Sequence, residues 1–291
     1  MADPPKVSVV VPVYNGEKTV EACIQSLLAL DYEEDQRELI FVDNASTDKT
    51  TEILRCYGNK IRVAVEAKRG PAAARNHGLR QARHEIVAMT DADCTVERNW
   101  LRQLLKPLSD PAVGLVGGAV LSKRPCNPIE LFGERIHDHR MAIEVWTPPY
   151  VITMNWASRK SVLTLVDFFD EQFMRCEDVD FAYRAFQGDV TFAFASEAIV
   201  YHENESTFGD LFYEGYLHGF YSVQAIKRHR SLLRQHGHRR IQWSGYAALL
   251  RSLKENLKGP NPTEARCELV FNSGKKLGKL MGSLRFGYLD L

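Results

Sequence analysis

Short, β-branched apolar runs alternate with segments of helical periodicity through the first part of the chain. Val7-Ser8-Val9-Val10-Val11-Pro12-Val13 reads as a buried strand closed by proline, and residues 17–30 place Val20, Ile24, Leu27 and Leu28 on one helical face. The same pair of signals recurs as strand 39–42 with helix 47–57, strand 61–65 with helix 71–82, and strand 86–89 with helix 99–108. Four consecutive strand and helix pairs predict an α/β protein with a doubly wound, mostly parallel, Rossmann-like sheet. Ligands of such sheets bind beyond the carboxyl ends of the strands, most of all where the strand order reverses.

After a strand at 113–122 the alternation gives way to a loop-rich stretch, 125–149, with helical character at 129–141. Strands are expected at 150–157, 191–194 and 198–202, and a helix at 177–187, opened by a carboxylate pair. From residue 211 the pattern is helical. The chain is therefore expected to be one domain over 1–210 with a helical extension over 211–291, without internal repeats.

Composition changes this picture in three places. With 45% hydrophobic and 25% charged residues, the 291-residue chain has the makeup of a globular protein and not of a disordered one. The formal net charge of +0 conceals a separation: residues 221–291 hold 14 Lys and Arg against 4 Asp and Glu, leaving 23 against 33 for residues 1–220. Such a separation fits either a solvated face or an acidic, metal-holding body with a tail that seeks anionic surfaces. Six scattered cysteines without a Cys-x-x-Cys pair suggest reduced thiols and a cytoplasmic protein, and no apolar run approaches the roughly 20 residues of a bilayer-spanning helix. Met1-Ala2-Asp3-Pro4-Pro5-Lys6 lacks the features of a secretory signal, so the mature chain is expected to start there.

Each early strand delivers polar residues at its carboxyl end: Tyr14-Asn15-Gly16, Asp43-Asn44, Arg69-Gly70 and Asp91-Ala92-Asp93. If extended geometry continues, Asp91 and Asp93 share one side of the chain, and two such carboxylates suit Mg²⁺ or Mn²⁺ completed by water and phosphate. Ser46, Thr47 and Asp48 are expected to cap and turn the chain. Asp180 is expected to pair with Arg184 at helical spacing, and His137-Asp138-His139 to lie in a solvated loop.

Val9-Val10-Val11-Pro12-Val13-Tyr14-Asn15, Val42-Asp43-Asn44-Ala45-Ser46-Thr47-Asp48, Gly70-Pro71-Ala72-Ala73-Ala74-Arg75-Asn76, Asp91-Ala92-Asp93 and Glu177-Asp178 stand in the order and at spacings compatible with glycosyltransferase family 2. Over roughly residues 7–207 the chain resembles that family and its GT-A fold. The resemblance implies an inverting glycosyltransferase using a nucleoside diphosphate sugar, UDP-sugar favoured, and a divalent metal. The acceptor would be a hydroxyl of a glycan or lipid, in bacterial surface-glycan or glycolipid assembly, and no nucleic-acid partner is implied. It also divides the domain into a nucleotide-binding half, 1–122, and an acceptor-binding half, 123–210. Residue by residue it implies base and ribose contacts at Pro12, Tyr14, Asn15 and Asp43, a nucleotide or phosphate contact at Arg75, ribose and metal-water contacts at Asp91, and metal ligation at Asp93. Asp178 is implied as general base with Glu177 in support.

The segment Tyr150 to Arg159 resembles the family segment lining the donor sugar, which makes Asn155 and Trp156 candidates there, with a core position open for Trp156. His202 is either a further metal ligand or a hydrogen-bonded structural residue. A nucleotidyltransferase, or a GT-A-like binding protein without catalysis, is the alternative. The first would show a glycine-rich basic loop after the first strand, where Pro12-Val13-Tyr14-Asn15-Gly16 stands instead. Near the C-terminus, Leu277, Leu280, Met281 and Leu284 fall on one helical face, a pattern suited either to peripheral contact with the inner face of an anionic membrane or to packing on the catalytic domain.

Overall fold

A computed structural model describes residues 4–241, 243–257 and 263–291; the expected mature start at Met1-Ala2-Asp3 lies outside the described residues. The chain divides into two compact units, one of Met1–Lys123 with His137–Glu203 and one of Arg124–Ile136 with Asn204–Leu291. Strands β1 (Val7–Val13), β2 (Arg37–Asp43), β3 (Arg62–Val65), β4 (Ile86–Met89), β5 (Cys94–Val96), β6 (Val113–Ser122), β7 (Trp156–Arg159) and β8 (Thr191–His202) form one sheet in the order β3-β2-β1-β4-β7-β6-β8-β5. The helices are α1 (Val20–Leu28), α2 (Thr50–Cys56), α3 (Pro71–Gln81), α4 (Trp100–Leu105), α5 (Pro128–Ile136), α6 (Lys160–Leu165), α7 (Glu177–Gln187), α8 (Phe208–Arg228), α9 (Arg230–Gln235), α10 (Trp243–Leu257) and α11 (Thr263–Phe286).

In the first unit β1 explains the uninterrupted apolar run of the sequence. Val7, Val9, Val11 and Val13 belong to one core layer with Ile24, Leu27 and Phe41, while Val10 belongs to the other with Ile40, Val42 and Leu79. A strand covered on both faces has no polar side. Ser8 escapes the rule by donating its hydroxyl to Glu38 at 2.7 Å.

Strands β1 to β4 pair in parallel, as expected. Beyond β4 the sheet is mixed: β7 runs antiparallel to both β4 and β6, β6 and β8 are parallel, and β5 is antiparallel to β8. Three sequence expectations change. The strand expected at 150–157 begins only at Trp156. The two strands expected at 191–194 and 198–202 are one, because β8 keeps pairing with β6 across a register shift between Gly118 and Ala119. The three-residue β5 is too short to leave a periodic signal. Because β1 lies between β2 and β4, the strand order reverses there, and the ends of β1 and β4 flank the crevice.

The second unit is helical, and α5 belongs to it. Asn127 caps α5 by accepting the Ile129 and Glu130 N–H groups at 2.8 and 3.0 Å, and Thr207 caps α8 through the Asp210 N–H at 3.2 Å. Helices α8 and α11 run parallel and almost touch backbone to backbone. A Cβ on Gly274 would stand 2.1 Å from the Phe212 carbonyl oxygen, one on Gly278 2.0 Å from that of Tyr216, and one on Gly282 2.4 Å from that of Phe220. Gly215 and Gly219 answer from α8, 2.3 and 2.0 Å from the carbonyl oxygens of Phe271 and Lys275. Glycine at every fourth position of both helices is thus required by their separation. The C-terminal stretch packs on α8 through its glycine line, and the apolar face expected to meet a membrane or the catalytic domain, Leu277, Leu280, Met281 and Leu284, stays exposed. Among the described residues no helix is long and apolar enough to cross a membrane.

Gly278→Ala is expected to destabilise the protein by about 2 kcal/mol or more, since the methyl group meets backbone and not a movable side chain. Gly209→Ala, where the nearest atom is 3.7 Å away, is expected to stay within about 0.5 kcal/mol of the parent. Denaturant titration of both variants checks the contrast, and equal stabilities would show that the seam opens freely.

Candidate active site

The loops after β1 and β2 lock onto each other. Asn15, in left-handed backbone at φ 50°, donates its N–H to Ser46 Oγ at 3.0 Å and accepts the Thr47 N–H on Oδ1 at 2.8 Å. Gly16 donates to Thr50 Oγ1 at 2.8 Å and Glu17 to Asp48 Oδ2 at 3.0 Å. Ser46, Thr47 and Asp48 therefore hold the turn. Asp43 is buried, with Oδ1 accepting the Ser46 N–H at 3.0 Å and Oδ2 the Thr51 hydroxyl. Tyr14, next to the half-buried Pro12, stays half exposed. The Arg69 guanidinium lies 4.0 Å above its ring and donates to its hydroxyl, giving a flat cationic and aromatic platform at the mouth of the crevice.

At the end of β4 extended geometry does not continue through Asp91-Ala92-Asp93. The chain turns there, with the Cys94 N–H donating to the Asp91 carbonyl at 3.1 Å. The two carboxylates consequently face different partners. Asp91 Oδ1 accepts from Arg75 Nη2 at 3.0 Å, and Asp93 Oδ2 lies 3.6 Å from His202 Nε2. The antiparallel register of β5 and β8, which sets Cys94 opposite His202, brings that imidazole to the turn. His137 stacks edge-on against it at 5.2 Å between ring centroids. Burial opposes ionisation of Asp93, but hydrogen bonding and the charge of His202 outweigh it and hold the acid below the usual carboxylate range.

The Asp93 side chain keeps 48% of its surface exposed, so a half-open carboxylate beside an imidazole nitrogen is available to a ligand. Among the described residues no three His, Cys, Asp or Glu side chains gather as a closed metal site. The pair fits an open divalent site, whose remaining positions water would fill.

Arg75 on α3 joins this turn to α7. Its guanidinium is buried; Nη1 donates to Glu177 and Nη2 to Asp91, while Nε has no hydrogen-bond partner. Burial works against the cation, yet Asp91, Glu177 and Asp178 together raise its pKa further. Asp178, the second residue of α7, is driven the other way. Burial first, and then the neighbouring Glu177 charge, push its carboxyl up to about 7 against the pull of Arg75. Asp180 pairs with Arg184 at 2.9 and 2.7 Å, as its spacing predicts.

Burial corrects the expectations for Asn155 and for the two histidines, and decides between the two readings of Trp156. Asn155 is fully enclosed: it accepts from Trp100 Nε1 at 2.8 Å and donates to the carbonyl oxygens of Ala119 and Ala198 at 2.7 and 2.8 Å. It ties α4, β6 and β8 together, and no side-chain surface remains for a donor sugar. Trp156 is likewise enclosed, against Phe169 and Phe181, which settles it as core. His137 and His139, expected in a solvated loop, are buried. His139 bridges the Gly118 carbonyl, 2.8 Å from Nδ1, and the Ile152 N–H, which donates to Nε2; burial brings its pKa down to about 4.

Residues 8–165 match the sequence profile described as Glycosyl transferase family 2. The chain belongs to glycosyl transferase family 2. The glycosyltransferase AglE of Haloferax volcanii is 29% identical over 237 residues, 79% of this chain and 77% of that protein. The poly(ribitol-phosphate) β-N-acetylglucosaminyltransferase TarS of Staphylococcus aureus is 36% identical over 101 residues, 33% of this chain and 18% of its own length. Among solved structures, the mannosyltransferase PcManGT from Pyrobaculum calidifontis, in complex with GDP-Man and Mn²⁺, superposes with a TM-score of 0.60 at 20% identity over 97% of this chain and 74% of that one. S. aureus TarS 1–349 with UDP-GlcNAc gives 0.55 at 19% identity over 97% and 92%. These likenesses show the GT-A fold.

Asp91, Asp93, His202, Arg75, Glu177 and Asp178 come together at the ends of β4 and β8 and the start of α7. Sequence reading marks Arg69 only as a strand-end residue, and it gives no sign of the stacking on Tyr14, which depends on how two loops meet. It places His137 away from the site altogether.

Arg75→Met is expected to destabilise the fold by about 3–5 kcal/mol, because Glu177 loses its buried counter-charge. Equilibrium unfolding measures this, and a loss below about 1 kcal/mol would mean that the carboxylates find other partners. Asp178 gives a test of opposite sign. With its folded pKa raised to about 7, the folded chain binds more protons than the unfolded chain between about pH 4 and 7, so ionised Asp178 destabilises the fold increasingly as pH rises through that window. Asp178→Asn should therefore melt higher than the parent at about pH 8, with the margin vanishing toward about pH 4.

Proposed function

We propose that this family 2 protein is an inverting glycosyltransferase that moves a sugar from a nucleoside diphosphate donor, UDP-sugar favoured, to a hydroxyl of a glycan or lipid-linked acceptor in bacterial surface-glycan or glycolipid assembly. The observation that carries the reading is the Arg75 bridge between Asp91 and Glu177, beside which stand two unlike acids: Asp93, held ionised and half exposed beside His202, and Asp178, pushed up to about 7. Residues 1–122 would hold the donor and 123–210 the acceptor. The donor class is supported by PcManGT, solved with GDP-Man, and TarS, solved with UDP-GlcNAc. Six free thiols fit a reducing cytoplasm.

Asp93 and His202 would hold a divalent cation, Mn²⁺ or Mg²⁺, which when bound neutralises charge on the departing diphosphate. Tyr14 and Arg69 offer the nucleobase a flat face, and buried Asp43 fixes the turn beside it. Asp178 takes the proton of the acceptor hydroxyl as its oxygen bonds to the anomeric carbon and the bond from that carbon to the diphosphate oxygen breaks on the opposite face. The proton stays on Asp178, the nucleoside diphosphate leaves with the bonding pair, and the anomeric centre inverts. Glu177 spends its charge on Arg75 and keeps the helix start in place.

A base acts on the acceptor and not on the donor. Asp178→Asn is thus expected to keep donor affinity in calorimetry while transfer falls about 10²- to 10⁴-fold. Glu177→Gln should be milder, and the reverse order would move the role to Glu177. Transfer by the parent should rise through about pH 7 and then level, since the base must lose its proton first. Asp93→Ala should abolish the Mn²⁺-dependent part of nucleoside diphosphate affinity and His202→Ala should weaken it. A screen of donors for metal-dependent release of UDP against GDP identifies the base, and release of neither from any donor would overturn the assignment.

A further inference from the structure

The glycine seam fixes which way α11 faces. Gly274, Gly278 and Gly282 are pressed against α8, so the side chains that follow a different line of the same helix point away from it. That line is Leu277, Leu280, Met281 and Leu284, at positions i, i+3, i+4 and i+7, which remain 43%, 46%, 42% and 72% exposed. Just past the helix end, Leu289 is 47% exposed. A water-soluble surface rarely carries an unbroken apolar stripe without use for it.

The charges around the stripe say what it suits. Lys227 reaches the C-terminal end of α11, donating to the Phe286 carbonyl at 2.7 Å, and Arg240 lies 5.1 Å over the Tyr288 ring, beside Leu289. Arg285 follows Leu284 directly and is exposed. The acid of this end, Asp290, is fully buried between Lys279 at 2.5 Å and His238 at 2.7 Å, so it does not offset the cations at the surface. An apolar helical stripe bordered by Lys and Arg, with the acid withdrawn, matches a surface of acyl chains beneath anionic headgroups.

We propose that the outer face of α11 docks the protein on an anionic lipid bilayer, with Leu277, Leu280, Met281 and Leu284 entering the acyl boundary and Lys227, Arg240 and Arg285 meeting the headgroup phosphates. The proposal stands apart from the catalytic reading, since it uses none of the site residues and is measured without donor.

Flotation of the full chain with vesicles tests it. Phosphatidylcholine mixed with phosphatidylglycerol should retain the protein at low salt and release it as salt rises, whereas phosphatidylcholine alone should retain little. Arg240→Gln and Arg285→Gln should each weaken retention about fivefold, the effect of about 1 kcal/mol per basic group at an anionic surface. Leu280→Gln combined with Leu284→Gln should remove retention with the melting temperature unchanged, because both side chains are exposed. Equal recovery with neutral and anionic vesicles would overturn the proposal, as would full retention of the double leucine variant. Sedimentation velocity guards against the other occupant: a dimer dissolved by the leucine substitutions, without vesicle binding, would make the stripe a contact between copies of this chain and overturn it equally.

Discussion

The buried guanidinium of Arg75 is the interaction on which the site depends. It reaches Glu177 at the start of α7 and Asp91 at the end of β4, two segments far apart in the chain that carry no other charge partner for each other. A buried ion pair of this kind is a poor source of net stability, because desolvating three charged groups costs about what their attraction returns. Its effect is positional. Removing the cation would leave carboxylates facing carboxylates across the crevice, so the arrangement of Asp91, Glu177 and Asp178 is possible only while Arg75 stands between them.

The same cation accounts for the division between the acids. Asp91 and Glu177 are bonded to it directly, whereas Asp178 receives only its through-space attraction and has burial and the Glu177 charge against it. Asp93 lies past the turn, with an imidazole of its own. Two carboxyl groups of one residue type thereby differ in protonation near neutral pH, one suited to holding positive charge and one to accepting a proton. The environment, and not the residue type, makes the difference, and each part of that environment comes from a different strand or helix.

How much of this the sequence disclosed follows from the range of the forces involved. Strands β1 to β4 and their helices were legible because each is a local periodic pattern, and a strand buried on both faces announces itself as Val7 to Val13 does. Aspartates at the strand end and the Glu177-Asp178 pair were legible as blocks of residue type. Direction is not: strand alternation sets Asp91 and Asp93 on one side, whereas the turn closed by the Cys94 N–H on the Asp91 carbonyl separates them. Asn155 and Trp156 stood where a donor contact was expected and were claimed by the core, Asn155 because three elements bring their polar groups to it. His139 shows the same limit, since a histidine in a polar stretch gives no sign of a carbonyl and an N–H waiting on either side of its ring.

The two units solve the problem of cohesion differently. In the sheet unit, branched side chains fill the space between layers, and Gly118 marks a place where another chain segment passes, beneath the Ala198 carbonyl. In the helical unit Leu211, Cys267 and Phe271 pack with Phe132 at one end, and along the rest of the α8 and α11 seam glycines let the backbones meet, so attraction comes also from close contact over a long line. A helix held through its glycines does not need its leucines for that contact. In the sheet unit every large apolar side chain of β1 is consumed by packing, so its amphipathy carries no further meaning. In α11 the seam is made of the smallest residues, and the larger apolar ones are left over at its side. An amphipathic pattern therefore reports an outside partner only when the structure shows that the inside has already been satisfied by something else, and the glycine register of α11 supplies that condition.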